Sequence, residues 1–200
     1  MLATIGVTIL GILIFLFIFW KRLRDDYASE IIFKSAGYII LGFFVGYFFA
    51  IRFFPVWFFW TSFIGGIIGF QFAILQFKVK FFETLEAYIM ASLPWLGLIF
   101  LIDSVTASSL SSFIGFIGIL IMVFLSYYLD TQYKRFNWYK SGRVGFAGLA
   151  VAIIFFIIRF LIAIFKVPML SFAGRVEVIV SGLMAIVGIV LLFNLGKIKK

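Results

Sequence analysis

Apolar residues in this chain run in long blocks, broken by short polar stretches. Seven blocks come close to the roughly 20 residues a helix needs to cross a hydrocarbon core. They are residues 2–20, 36–54, 57–77, 85–103, 112–129, 144–166 and 177–195. The apolar positions do not alternate with polar ones, so a transmembrane barrel is not indicated. Helices satisfy their own backbone groups within one segment, which makes them the economical reading in lipid. The pattern predicts an all-α, polytopic membrane protein with about seven transmembrane helices and one domain over residues 1–200.

The polar connections carry an orientation. Lys21, Arg22, Arg24 and Lys34 follow the first block, and Lys78 and Lys80 follow the third. Lys134, Arg135, Lys140 and Arg143 follow the fifth, and Lys197, Lys199 and Lys200 close the chain. All of these fall on one side. The other side holds only Arg52, Lys166 and Arg175, with Arg159 inside the sixth block. The positive-inside rule then puts the N-terminus outside and the C-terminus in the cytoplasm. The first block has no basic n-region and is followed by charges, so it reads as an anchor with its start outside, not as a cleaved signal.

Composition sharpens this picture. Hydrophobic residues make up 65% of the 200 and charged residues 12%, against about 45–50% and about 25% in soluble domains. Too little polar surface exists to cover a water-soluble globule. The formal charge of +9 is therefore a topology signal, and no nucleic-acid partner is expected because no soluble basic domain exists to bind one. Cysteine and histidine are both absent. That removes thiolate chemistry, disulfides, the commonest metal ligand and the commonest general base. No phosphate loop or dinucleotide fingerprint is present, so no metal or cofactor is expected.

Few residues remain that could carry chemistry. Arg159 sits in "FFIIRFLIAIF", about two turns from the outer end of the sixth block, roughly 10 Å of rise. A snorkelling arginine would keep its head at the interface. An inward-facing one would hold an anion, and its fork suits phosphate. Glu177, with Arg175 two residues before it, opens the seventh block. An acid is favourable at a helix start, and Glu177 could also be the counter-ion of Arg159. Asp103 ends the fourth block ahead of "SVTASSLSS", which reads as turn chemistry. Ser104, Thr106 and Ser108 have no activating base in view. Glu83 and Glu86 read as the start of an amphipathic helix, and Trp57, Trp60 and Trp138 as an interfacial belt. Gly65, Gly66, Gly69, Gly115 and Gly118 have the spacing common where membrane helices pack closely. One arginine with Gln71 and Gln76 does not suggest a transport pathway.

Local patterns carry a resemblance. The segment after the first block reads "FWKRLRDDYASEII". The second block holds Gly42, Gly46 and Tyr47 in the spacing of a G-A-R-x-G-Y segment, with Phe44 where that segment has arginine. "WTSFIGGIIGF" is similar to S-F-H-G-G-x-x-G, with Ile64 at the histidine position. In "SGRVGFAGLAVAIIFFIIRFLIAIFK", Arg159 and Phe160 stand on the R-F of a Y-G-x-x-R-F-x-x-E-x-x-R ending, with Ala163 and Lys166 at the later charged positions. In this order the segments resemble bacterial prolipoprotein diacylglyceryl transferase, a seven-span family with the same orientation. The G-R-I-G-N-F signature expected after the fourth block is replaced by "FLIDSVTASSLSS". The resemblance implies a multi-pass protein of the bacterial plasma membrane, active in lipoprotein biosynthesis. Its phospholipid would be phosphatidylglycerol and its acceptor a prolipoprotein with a lipobox cysteine. Headgroup contacts would come from Arg159, Arg52, Arg175, Glu177 and Asp103. The alternative is a catalytically silent relative that binds lipid or a partner membrane protein.

Overall fold

A computed structural model describes residues 2–132, 145–165, 172 and 174–197. Among these residues there are seven α-helices: α1 (Leu2–Leu23), α2 (Ser29–Phe53), α3 (Phe58–Phe77), α4 (Phe81–Thr106), α5 (Leu110–Gln132), α6 (Phe146–Ile164) and α7 (Arg175–Lys197). Each is long and apolar enough to cross a membrane. They correspond one to one with the seven blocks of the sequence. Most are longer than their blocks, because polar residues such as Arg22 and Glu83 continue the helix beyond its apolar stretch. The connections are short where they are described. Pro55 opens one turn of 3-10 helix between α2 and α3, a position where its missing N–H costs nothing. Lys78, in the left-handed region at φ 53°, ends α3 before the tight turn into α4.

The helices form two unequal parts. α2 and α3 pack backbone on backbone. A Cβ on Gly42 or Gly46 would run into the carbonyl oxygens of Gly65 or Thr61, and one on Gly69 into that of Tyr38. Lipid tails are as apolar as leucine, so membrane helices gain little by burying large apolar side chains against each other. Close approach through small residues is the effective alternative. The glycine spacing that resembled a family motif thus has a sufficient reason in packing.

The second part is α4 with α5, α6 and α7, joined by α1 along α4. Phe15 and Phe19 of α1 are wholly buried with Ala87, Tyr88 and Ala91 of α4. Gly11 makes room for the Trp95 indole. Aromatic side chains, not backbone contact, bridge α2–α3 to this body. Phe43 meets Tyr88 and Trp95, Phe70 meets Tyr88 and Phe81, and Trp60 stacks on Phe156 at 5.9 Å. The space those bridges leave open is a cavity of about 640 Å³.

Candidate functional site

The cavity runs through most of the depth of the bundle. At the end where the chain starts it is lined by Thr4 and Thr8 of α1, Tyr47 and Ile51 of α2, and Asp103 and Thr106 of α4. At the other end it reaches Gln71, Phe81 and Leu191. Between them the wall is mostly phenylalanine, leucine and isoleucine, with Ser62, Tyr88 and Ser92 at mid-depth. The Tyr88 and Ser62 oxygens are buried and make no hydrogen bond. The Tyr88 hydroxyl lies against Gly66, where a Cβ would crowd it. Ile67 of α3 and Val187 of α7 belong to the lining and are exposed. Part of the cavity wall thus reaches the surface of the bundle on membrane-spanning helices.

Arg159 does not point into lipid, and it does not line the cavity. It is 3% exposed, and its Nε donates to Glu177 Oε1 at 2.7 Å. Glu177 is fully buried and also accepts from Trp60 Nε1 at 2.7 Å and from the Ser181 hydroxyl at 2.6 Å. The guanidinium lies 3.9 Å from the Phe59 ring centroid and 4.5 Å from that of Phe172. Phe59, Phe155 and Phe156 stand in the cavity wall, between the ion pair and the open space. The pair therefore ties α3, α6 and α7 together behind that wall. A charge this deep is tolerable only when it is matched and hydrogen bonded.

The other nominated residues are dispersed. Arg52 is exposed on the lipid-facing stripe of α2 that includes Leu41, Val45 and Phe48. Arg175 is exposed at the start of α7. Asp103 is half-buried in the cavity lining, and the Ser112 hydroxyl of α5 donates to its Oδ2. The structure thus joins Arg159 with Glu177, sets Asp103 on the cavity, and leaves Arg52 and Arg175 apart from both. Lys166 and Trp138 lie outside the described residues. Trp60 is not part of an interfacial belt: it is 2% exposed, because its N–H serves Glu177.

A second charged cluster was not legible as such. At the end rich in basic residues, Arg22 of α1 donates to Glu86 Oε1 at 3.1 Å and to Asp130 Oδ2 at 2.9 Å. Glu86 Oε2 accepts the Gly145 N–H at 2.8 Å. Gly145 stands just ahead of α6 with φ 78°, a conformation that favours glycine. Four elements meet there: α1, α4, α5 and the start of α6. Glu86 is buried and is not the exposed residue of an amphipathic helix start. Glu83 accepts from the Tyr27 hydroxyl at 2.9 Å and from Lys80 Nζ at 3.0 Å. Burial pushes the Tyr27 phenol above its ordinary pKa, with the Lys80 N–H working in the opposite direction. Among the described residues no group of acidic side chains could hold a metal ion.

The chain defines a class by its own architecture: a multi-pass, seven-helix membrane protein with a large apolar cavity and a charged cluster at each end. Compared with known proteins, it matches no family model, no curated protein and no solved structure.

Proposed function

We propose that this chain is a phospholipid-binding membrane protein, with the layout of a diacylglyceryl transferase and its cavity occupied by acyl chains. The observation that supports this is the cavity itself. Its volume of about 640 Å³ lies within the range of about 300–1,000 Å³ usual for small-molecule sites. Its wall is aromatic and aliphatic, and part of it reaches the surface of the bundle on membrane-spanning helices. Such an apolar space favours lipid tails over water, which would find few polar partners there. Phosphatidylglycerol is the lipid that the resemblance implies.

Transfer of a diacylglyceryl group to a lipobox cysteine is the active form of the same reading. It requires a thiolate and stabilisation of the departing phosphate. Arg159 is the residue that the resemblance assigns to the phosphate, and here it is engaged with Glu177. The described cavity lining contains no histidine or lysine to take the thiol proton. Binding without transfer is therefore the form this geometry favours.

A diacyl phospholipid carrying a photoreactive acyl chain tests the cavity. The reconstituted protein is expected to be labelled on α3, α4, α6 or α7 at lining positions. Ala152→Phe, which fills the cavity from α6, is expected to reduce labelling. Labelling confined to the outer surface of α5 would overturn the reading. Incubation with acyl-labelled phosphatidylglycerol and a lipobox peptide separates the two forms. No thioether product is expected, and its appearance would establish the transferase.

A further inference from the structure

In a bilayer the acyl chains of a bound lipid leave one apolar medium for another. Little transfer free energy is gained, so the tails alone select weakly. Selection falls to the polar end of the cavity. We infer that this mouth, centred on Asp103, binds the primary ammonium of an aminophospholipid headgroup. The inference rests on the reading of the cavity as a lipid site, and it changes the headgroup expected there.

Among the described residues that line the cavity, Asp103 is the one Asp, Glu, Lys or Arg. The Ser112 hydroxyl donates to its Oδ2 and fixes its orientation, while Oδ1 has no donor among the described residues. The neighbouring threonines are also acceptors. Thr8 uses its hydroxyl hydrogen on the Thr4 carbonyl at 2.9 Å, and Thr106 uses its own on the Ile102 carbonyl at 2.8 Å. Both therefore present oxygen lone pairs to a ligand. A mouth with a carboxylate and committed hydroxyls calls for a ligand rich in donors and positively charged. A primary ammonium has three N–H donors and one charge. Tyr47 and Thr4, on α2 and α1, line the same end and make no side-chain hydrogen bond among the described residues, so their hydroxyls suit the lipid phosphate.

An anionic headgroup fits poorly. Phosphatidylglycerol would bring a net negative charge to a half-buried carboxylate, and like charges at close range are unfavourable. Arg159 offers no relief, because it lies behind the aromatic wall on Glu177. A quaternary ammonium would satisfy the charge but has no N–H to give the acceptors. The site therefore distinguishes ethanolamine-type from choline-type headgroups as well as from glycerol-type ones.

The test uses the full chain in nanodiscs of equimolar phosphatidylethanolamine, phosphatidylglycerol and phosphatidylcholine of matched acyl chains. Retained lipid is identified by native mass spectrometry. Phosphatidylethanolamine is expected to be enriched about tenfold over the other two, the effect of one charge-assisted hydrogen-bonded pair. Asp103→Asn is expected to abolish the enrichment while the total lipid retained stays the same. Ala152→Phe is expected to lower the total for every headgroup. An unchanged headgroup profile in Asp103→Asn overturns the inference and leaves the lipid cavity intact. Enrichment of phosphatidylglycerol in the unaltered protein does the same. Loss of no lipid in Ala152→Phe overturns the cavity reading, and the inference with it.

Discussion

The two charged clusters use similar chemistry under different conditions. At one end Arg159 and Glu177 are 3% and 0% exposed, and Glu177 receives three donors from two other helices and its own. At the other end the Arg22 side chain keeps 17% of its surface in contact with solvent and divides itself between Glu86 and Asp130. The first cluster has no water to fall back on. Removing one member leaves a charge in a low-dielectric site. The second retains solvent and a spare carboxylate, so the loss of one member is partly compensated. Burial, not the number of bonds, sets how much each cluster matters.

That difference predicts an order of effects. Glu177→Ala is expected to be the most damaging, by about 3–5 kcal/mol, because it takes the acceptor from the Arg159 Nε, the Trp60 N–H and the Ser181 hydroxyl together. Denaturation in mixed micelles measures it. The paired change Arg159→Leu with Glu177→Leu is expected to recover most of the loss, since apolar replacement of a whole buried pair is often neutral. If the double variant is as unstable as the single one, the pair is not the reason.

Glu86→Ala is expected to cost less, about 1–3 kcal/mol, because Arg22 keeps Asp130 while the Gly145 N–H loses its acceptor. This loss should also shrink as salt is raised, since the cluster reaches solvent. A salt dependence at Glu177 equal to that at Glu86 would erase the contrast. Trp60→Phe removes one hydrogen bond and preserves the stacking on Phe156, for an expected loss of about 1 kcal/mol. Glu30→Gln, which breaks the exposed pair with Lys34 one turn along α2, is expected to have no measurable effect, as exposed ion pairs contribute little.

The clusters also differ in how visible they were. Arg159 stands out because eleven residues of "FFIIRFLIAIF" contain no other charge, and such isolation marks a buried or functional group. Glu177 was a candidate partner because it opens the seventh block near the end of the membrane toward which Arg159 lies. Arg22, by contrast, sits in "KRLRDD", where a membrane protein commonly carries cytoplasmic charge. A topology signal and a buried network draw on the same residue types there. The available clue was register. Glu86 shares a face of α4 with Glu83 but lies one turn deeper, farther from the polar end of the helix. The partner of that carboxylate depends on which helix packs against α4, and hydropathy does not encode that.

Spans and helical class followed from the sequence alone, because a helix in hydrocarbon must satisfy its backbone within one apolar segment. The sequence also singled out Arg159, Glu177 and Asp103, because polar groups at such depths are rare and costly. Only the tertiary structure decided that Arg159 and Glu177 are partners, that Trp60 completes their site, and that Asp103 stands apart on the cavity. It decided too that a cavity exists. The gap depends on α2 and α3 binding each other through glycine while aromatic side chains hold them off α4 and α6. Glycine and phenylalanine are ordinary in any membrane helix. Their spacing becomes a cavity only when two particular faces are brought together.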